Sequence, residues 1–253
     1  MLTAEQIEQY RENGYLHVTG LLTQEEAAYY RAETHALAER LSQQTSIDAT
    51  WASARELGGE AKKTKLLHCH DVQWYAGAFS RLIADDRLTG AVADLIGPNV
   101  QLHHSKMFIK PPEKGSPFPL HQDYPYFPHE KHTMLAAVIH FDDAPLEKGC
   151  VRVVPGSHKR GPLPHIAEGN WHLPIDKFPL EDSIAIPAKA GDAVIFSYLT
   201  IHGSGINVSS DARTTLLVQM RDPEDAPSDG LVCSRGQGIM LRGVDPTNAA
   251  RQK

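Results

Sequence analysis

The chain has 253 residues, enough for one domain with a sizeable core, and a formal net charge of −6. That balance excludes a globally basic surface, so neither nucleic acid nor an anionic membrane is an expected partner. No apolar run approaches the roughly 20 residues of a membrane helix, and the three cysteines (Cys69, Cys150, Cys233) are too scattered for a disulfide framework or a zinc knuckle. The opening residues, 1–6, lack the basic and apolar segments of a secretory signal, which makes a reducing cytoplasm the expected home.

Thr3 and Gln6 fit a capping box at the start of a first helix, which Asn13-Gly14 ends. Tyr15 to Val18 reads as a strand. Thr23 and Glu26 form a second capping box, opening a helix to about Leu41. Residues 43–64 are polar and aperiodic and read as a surface loop, a lid or a disordered insertion. In Lys65-Leu66-Leu67-His68-Cys69-His70 the two histidines lack a third local ligand, so an ordinary strand is the better reading. Asp85-Asp86 caps a helix that Gly97-Pro98 stops. The part up to residue 97 is therefore helical.

From Val100 the pattern turns to strands. Val100 to Lys110 alternates, with Leu102, His104, Lys106 and Phe108 on one face and His103, Ser105, Met107 and Ile109 on the other. Residues 111–119 form a loop. Met134 to Phe141 is apolar throughout and reads as a buried central strand, followed by Cys150 to Val154 and a structural turn at Pro155 to His158. Residues 159–183 are a long connection containing His165, Trp171 and His172, of the kind that covers the mouth of a site. Gly191-Asp192 turns into a strand that ends near His202, and Arg213 opens the last clear strand, to Arg221. The β-rich core spans about 100–222, and 223–253 is a polar, turn-rich tail that folds back or stays free. With no repeat or low-complexity stretch, residues 1–253 are expected to be one domain, mainly β with flanking helices.

The chemistry concentrates at Leu120-His121-Gln122-Asp123. On an extended strand the side chains of His121 and Asp123 leave the same face. An H-x-D triplet alone is weak in a chain with 14 histidines. A glycine-punctuated strand, then His202, then Arg213 eleven residues later, supplies what it lacks. Two imidazoles and a carboxylate make the facial triad of non-haem iron(II) oxygenases, which leaves positions open. A fixed guanidinium at 213 suits a carboxylate as a bidentate pair.

His121 to Pro128, Gly149 to Lys159, His202-Gly203-Ser204-Gly205 and Met107-Phe108-Ile109-Lys110-Pro111-Pro112 resemble the phytanoyl-CoA dioxygenase family over roughly residues 5–222. The resemblance implies a double-stranded β-helix (a jelly roll, cupin-like) and an enzyme using iron(II), 2-oxoglutarate and dioxygen to hydroxylate an unactivated carbon. It implies catalytic and metal roles for His121, Asp123 and His202. Arg213 would hold the distal carboxylate of 2-oxoglutarate with Ser204, and Lys65, Met107 and Gln122 would join the co-substrate set. Many members have a tryptophan near the middle of the 134–141 strand, where this chain has Val138 or Ile139. Related halogenases have a small residue in place of Asp123, so the carboxylate points to hydroxylation, with desaturation and ring closure open to the same chemistry. Tyr124, Tyr126 and Phe127 follow the metal strand and suit either a substrate wall or packing. The C-terminal Arg251-Gln252-Lys253 is not a Ser-Lys-Leu peroxisomal address. A small-molecule substrate of metabolism, handled by a monomer or homodimer, is therefore expected. The other readings are a non-catalytic jelly roll binding a metal or carboxylate, and a zinc hydrolase on the same ligands, which lacks a general base and leaves Arg213 without a role.

Overall fold

The computed structural model describes residues 1–42, 67–112, 117–167, 171–230 and 234–247. Four helices precede most of the sheet: α1 (Ala4–Asn13), α2 (Gln24–Ser42), α3 (Gly77–Ile83) and α4 (Asp86–Ile96). Both capping boxes form. Thr3 Oγ1 accepts from Gln6 N, whose side chain accepts from Thr3 N, and Thr23 and Glu26 repeat the exchange. Helix α3, for which the sequence offered no cap signal, buries Ala78, Phe79, Leu82 and Ile83. Among the described residues no helix is long and apolar enough to cross a membrane.

The strands are β1 (Tyr15–Val18), β2 (Leu67–His70), β3 (Val100–Lys110), β4 (Phe118–His121), β5 (Leu135–His140), β6 (Val151–Val153), β7 (Ile184–Ile186), β8 (Ala193–Ser197), β9 (His202–Ser204), β10 (Arg213–Arg221) and β11 (Met240–Arg242). They form two antiparallel sheets. The larger runs β1-β8-β5-β10-β3-β11, with β2 also on β3, and the smaller runs β4-β9-β6-β7. Together they make the jelly roll that the resemblance implied.

Burial explains why β5 is apolar at every position. Leu135, Ala137 and Ile139 join a core with Phe79, Leu82, Leu88 and Val92 of the helices and with Met107, Ile109, Leu216 and Val218. Ala136 and Val138 face the opposite way, into a second cluster with Val151, Val153 and Ile186 of the small sheet and Val194 and Phe196. A strand between two apolar layers cannot alternate.

Three sequence expectations need correction. The face assignment of β3 breaks at His103, because Gln219 of β10 pairs with His104 while Met220 pairs with Leu102. The extra residue is a β-bulge that moves Leu102 to the core face, away from His104, Lys106 and Phe108. The strand expected from Gly191 to His202 is two strands, since β8 ends at Ser197 and His202 opens β9 in the other sheet. The tail does fold back, and β11 pairs with Val100 and Gln101 of β3, so β10 is not the last strand.

Gly14 connects the helical part to the site. It caps α1 at φ 76°, and its carbonyl accepts from Ser197 N (2.9 Å) and Thr200 Oγ1 (2.7 Å), at both ends of the crossing from β8 towards His202. A Cβ here would overlap the His158 ring and lie 2.6 Å from Thr200 Oγ1. Gly14→Ala is therefore expected to cost at least about 1–2 kcal/mol from the left-handed backbone alone, lowering the thermal midpoint by several degrees in a melt followed by circular dichroism.

Candidate active site

His121 ends β4 and His202 begins β9, and the two positions pair directly across the small sheet. Asp123 lies beyond the strand, in helical backbone (φ −76°, ψ −18°) at the start of a short 3-10 turn over Tyr124–Tyr126. The extended spacing expected for His121 and Asp123 is thus replaced by a turn, fixed by Asp123 N donating to Tyr198 O at 2.9 Å. The convergence survives. One ligand atom each from His121, Asp123 and His202 lies within 4.8 Å of the others, all buried. Asp123 Oδ1 is 3.8 Å from His121 Nε2 and 3.7 Å from His202 Nε2.

The tautomers follow from the backbone. His121 Nδ1 faces Pro119 O at 2.8 Å and His202 Nδ1 faces Thr200 O at 3.0 Å. A carbonyl only accepts, so each Nδ1 carries the proton and each Nε2 presents a lone pair towards Asp123. Burial holds His121 down to about 3 and His202 to about 4, and burial raises Asp123. Gln219 Nε2 donates to Asp123 Oδ2 at 2.6 Å and fixes the carboxylate plane. Two lone pairs and a carboxylate oxygen aimed at one point repel one another and are reconciled by a cation, as in a metal site with oriented outer partners.

These residues line a cavity of about 430 Å³ between the sheets. At its other end Arg213 and Ser204 share the wall, and Lys110 stands behind Ser204, its Nζ donating to Ser204 Oγ (2.8 Å) and Gly205 O (2.7 Å). Lys110 pairs with Arg213 across β3 and β10. Arg213 is 5% exposed and Lys110 0%. Burial lowers Arg213 to about 10 and pushes Lys110 well below the usual lysine range. Arg213 donates one terminal N–H to Gly149 O, while its Nε has no partner among the described residues. Gly149 sits at φ 65°, and a Cβ there would collide with the Gly205 carbonyl. No carboxylate among the described residues forms an ion pair with either cation. Two buried cations without an acid make a site for an anion, above all a carboxylate that pairs with the guanidinium fork.

The structure thus brings together His121, Asp123, His202, Arg213 and Ser204, with Tyr126 and Phe127 on the same cavity. Lys65 lies outside the described residues. Met107 is corrected: fully buried on the helix side of β3, it packs in the main core and lines no part of the cavity. Gln122 is corrected too. Its amide donates to Leu199 O and Gly161 O and accepts from Leu163 N, so it anchors the connection after residue 160 against the metal strand. Tyr124 packs with Met134, Tyr198 and Leu199 instead of facing the cavity. Of the two residues proposed to replace the tryptophan, Val138 lines the cavity and Ile139 the core.

The sequence reading passed over Lys106, Lys110 and Gln219. A usable signal was present: two lysines at period-two spacing on one face of a strand expected to be half buried, and Gln219 six residues after Arg213, on the same face of its strand.

A family profile described as phytanoyl-CoA dioxygenase matches residues 10–215. The probable alpha-ketoglutarate-dependent hypophosphite dioxygenase of Stutzerimonas stutzeri is 27% identical over 227 residues, covering 85% of this chain and 77% of its own. The peroxisomal phytanoyl-CoA dioxygenase of Rattus norvegicus is 28% identical over 232 residues, covering 85% and 67%. The solved structure of the epimerase SnoN with Fe3+, alpha ketoglutarate and nogalamycin RO superposes with a TM-score of 0.73 at 24% identity, covering 94% of this chain and 98% of that one.

Around the cavity other histidines are buried neutral. His103 and His140 are lowered to about 3 and His104 well below its ordinary value, each chiefly by burial. The 2.8 Å contact between His103 Nδ1 and His104 Nδ1 needs one donor and one acceptor, which two charged rings cannot supply. In the unfolded chain these imidazoles take up protons below about pH 6.5, whereas the folded chain resists until far lower pH. Their contribution to stability is therefore complete above pH 6.5 and falls as pH drops through that value. Urea unfolding of the metal-free protein is expected to show at least about 2 kcal/mol less stability at pH 5 than at pH 7.5, from up to about 1.4 kcal/mol per imidazole per pH unit.

Proposed function

Because the chain belongs to the phytanoyl-CoA dioxygenase family, we propose that it is an iron(II)- and 2-oxoglutarate-dependent dioxygenase. It hydroxylates an unactivated carbon of a small-molecule metabolite while 2-oxoglutarate becomes succinate and carbon dioxide. The observation that carries this reading is one cavity whose wall holds three convergent metal-type donors and a buried Arg213 that, with Lys110 behind Ser204, has no acid paired to it among the described residues. Its size, about 430 Å³, suits a small molecule beside the co-substrate.

His121, Asp123 and His202 would hold iron(II), and Arg213 and Ser204, the latter backed by Lys110, would receive the distal carboxylate of 2-oxoglutarate. When bound, iron and the keto acid supply the activation of dioxygen and the oxidising power for C–H cleavage. The chain contributes position and electrostatics. The carbonyls of Pro119 and Thr200 keep both Nε2 atoms deprotonated, and Gln219 holds Asp123 in register. Phe196 packs on His202 with ring centroids 4.3 Å apart. Val138, Val151 and Leu217 give the cavity apolar walls that keep water from the reacting groups. Asp123 fills the place left small in the related halogenases, which supports hydroxylation. The enzyme works on a dissolved metabolite as a monomer or homodimer, and buried thiols at Cys69 and Cys150 fit a reducing cytoplasm.

Anaerobic titration of the iron(II)-loaded protein with 2-oxoglutarate is expected to produce the weak visible charge-transfer band of the chelate. Arg213→Ala should raise the 2-oxoglutarate Kd at least about 30-fold, equivalent to about 2 kcal/mol, and Asp123→Ala should lose tight iron binding. Iron binding by the parent protein with no band at any keto-acid concentration would overturn the assignment.

A further inference from the structure

Lys106 is a cation for which the proposed chemistry has no use. It lies half-buried on the cavity wall, beside His70 of β2 on one side and Leu217 of β10 on the other. Its Nζ sits 4.8 Å from the centroid of the Phe108 ring. Among the described residues, the acid whose charge reaches it is Asp123, and that carboxylate is already shared between Gln219 and the two imidazoles. Desolvation lowers the ammonium to about 8, which leaves most of it charged at neutral pH.

Loading the site leaves that charge unmatched. The charges of iron(II) and Arg213 offset those of Asp123 and dianionic 2-oxoglutarate, and Lys110, behind Ser204, is not among the residues that line the cavity. Lys106 is then surplus positive charge, held against Phe108 with Tyr126 and Phe127 on the same cavity. A partly desolvated ammonium without a counter-ion is costly unless an anion arrives. Hydrogen-bonding groups stand around it: His70 is exposed, and His68 also lines the cavity with a buried Nδ1 that lacks a partner among the described residues.

We infer that this wall recognises an oxyanion of the primary substrate, a carboxylate or a phosphonate, with Lys106 as the specificity-determining cation and His68 and His70 as its hydrogen-bonding neighbours. The inference rests on the oxygenase reading of the same cavity and names its substrate class as a small organic acid. Lys106 is two residues, or about 7 Å along the strand, from His104, which pairs with Gln219, the residue that holds Asp123. The oxidised carbon therefore lies only a few bonds from the anionic group.

The test uses protein loaded anaerobically with iron(II) and saturated with 2-oxoglutarate, so that Arg213 is occupied. It is titrated by calorimetry with propionate, methylphosphonate and the neutral propionamide. The two anions should bind, and propionamide should bind at least about tenfold more weakly. Lys106→Met should cost the anions at least about tenfold and Lys106→Arg should restore most of that, while the 2-oxoglutarate Kd of both variants stays within about threefold of the parent. Circular dichroism melts verify that both variants fold. Equal binding of propionate and propionamide overturns the inference, as does undiminished anion binding in a folded Lys106→Met. A tenfold loss of 2-oxoglutarate affinity in that variant also overturns it, because Lys106 would then serve the co-substrate. Should the parent protein bind the anions through Lys106 but fail to bind 2-oxoglutarate, the anion site stands and the oxygenase reading falls.

Discussion

The antiparallel pairing of β3 with β10 is the constraint on which the site depends. Its register sets Lys110 opposite Arg213, Phe108 opposite Thr215, Lys106 opposite Leu217 and His104 opposite Gln219. A single ladder thereby fixes the separation between the two buried cations and the glutamine that holds the metal carboxylate. A slip of one residue would exchange these side chains for Met107, Ile109, Leu216 and Val218, which now form the core under the helices. The apolar face of the ladder thus enforces the register, and the register delivers the chemistry. The bulge at His103 completes the arrangement by switching sides where β3 passes the end of the cavity.

Electrostatically the site is a set of unmet demands. Two imidazole lone pairs and a carboxylate oxygen face one another, while elsewhere on the wall a guanidinium, backed by Lys110, lies buried with no acid paired to it among the described residues. Each group is held in place by a neutral partner: Pro119, Thr200, Gly149 and Gly205 supply carbonyls to the imidazoles and the two basic side chains, and the Gln219 amide holds Asp123. Such neutral anchoring fixes geometry without consuming charge, which leaves a metal ion and a carboxylate ligand to relieve both ends. The rest of the fold stabilises this arrangement through apolar burial on both faces of β5 and on the helix-side face of β10.

How far the sequence could be read varied with the range of the interaction involved. Capping boxes at Thr3 and Thr23, the glycine stop at Gly14 and the apolar run of β5 were plain, because each depends on neighbours within a few residues. Met107 and Gln122 were assigned by resemblance to the co-substrate, and the structure sends both elsewhere. For Met107 the deciding fact is which face of β3 meets the helices, and for Gln122 it is the return of the chain at Gly161 and Leu163. Lys110 and Gln219 went unassigned for a related reason. A polar residue in a buried strand shows its purpose only once its partner across the ladder is known.

The sequence by itself determined which residue types were on hand: the His-x-Asp pair, a distant histidine and an arginine, in an order that specifies metal and carboxylate chemistry. It also determined the division into helical and β-rich parts, since periodicity is a local property of the chain. Only the tertiary structure decided that His202 reaches His121 from a separate strand, that Asp123 approaches through a turn, that Lys106 faces the cavity and that Lys110 backs Ser204 in its wall. These depend on contacts between residues tens to more than a hundred positions apart. Their energy comes from burying two sheets against each other, and no local pattern records it.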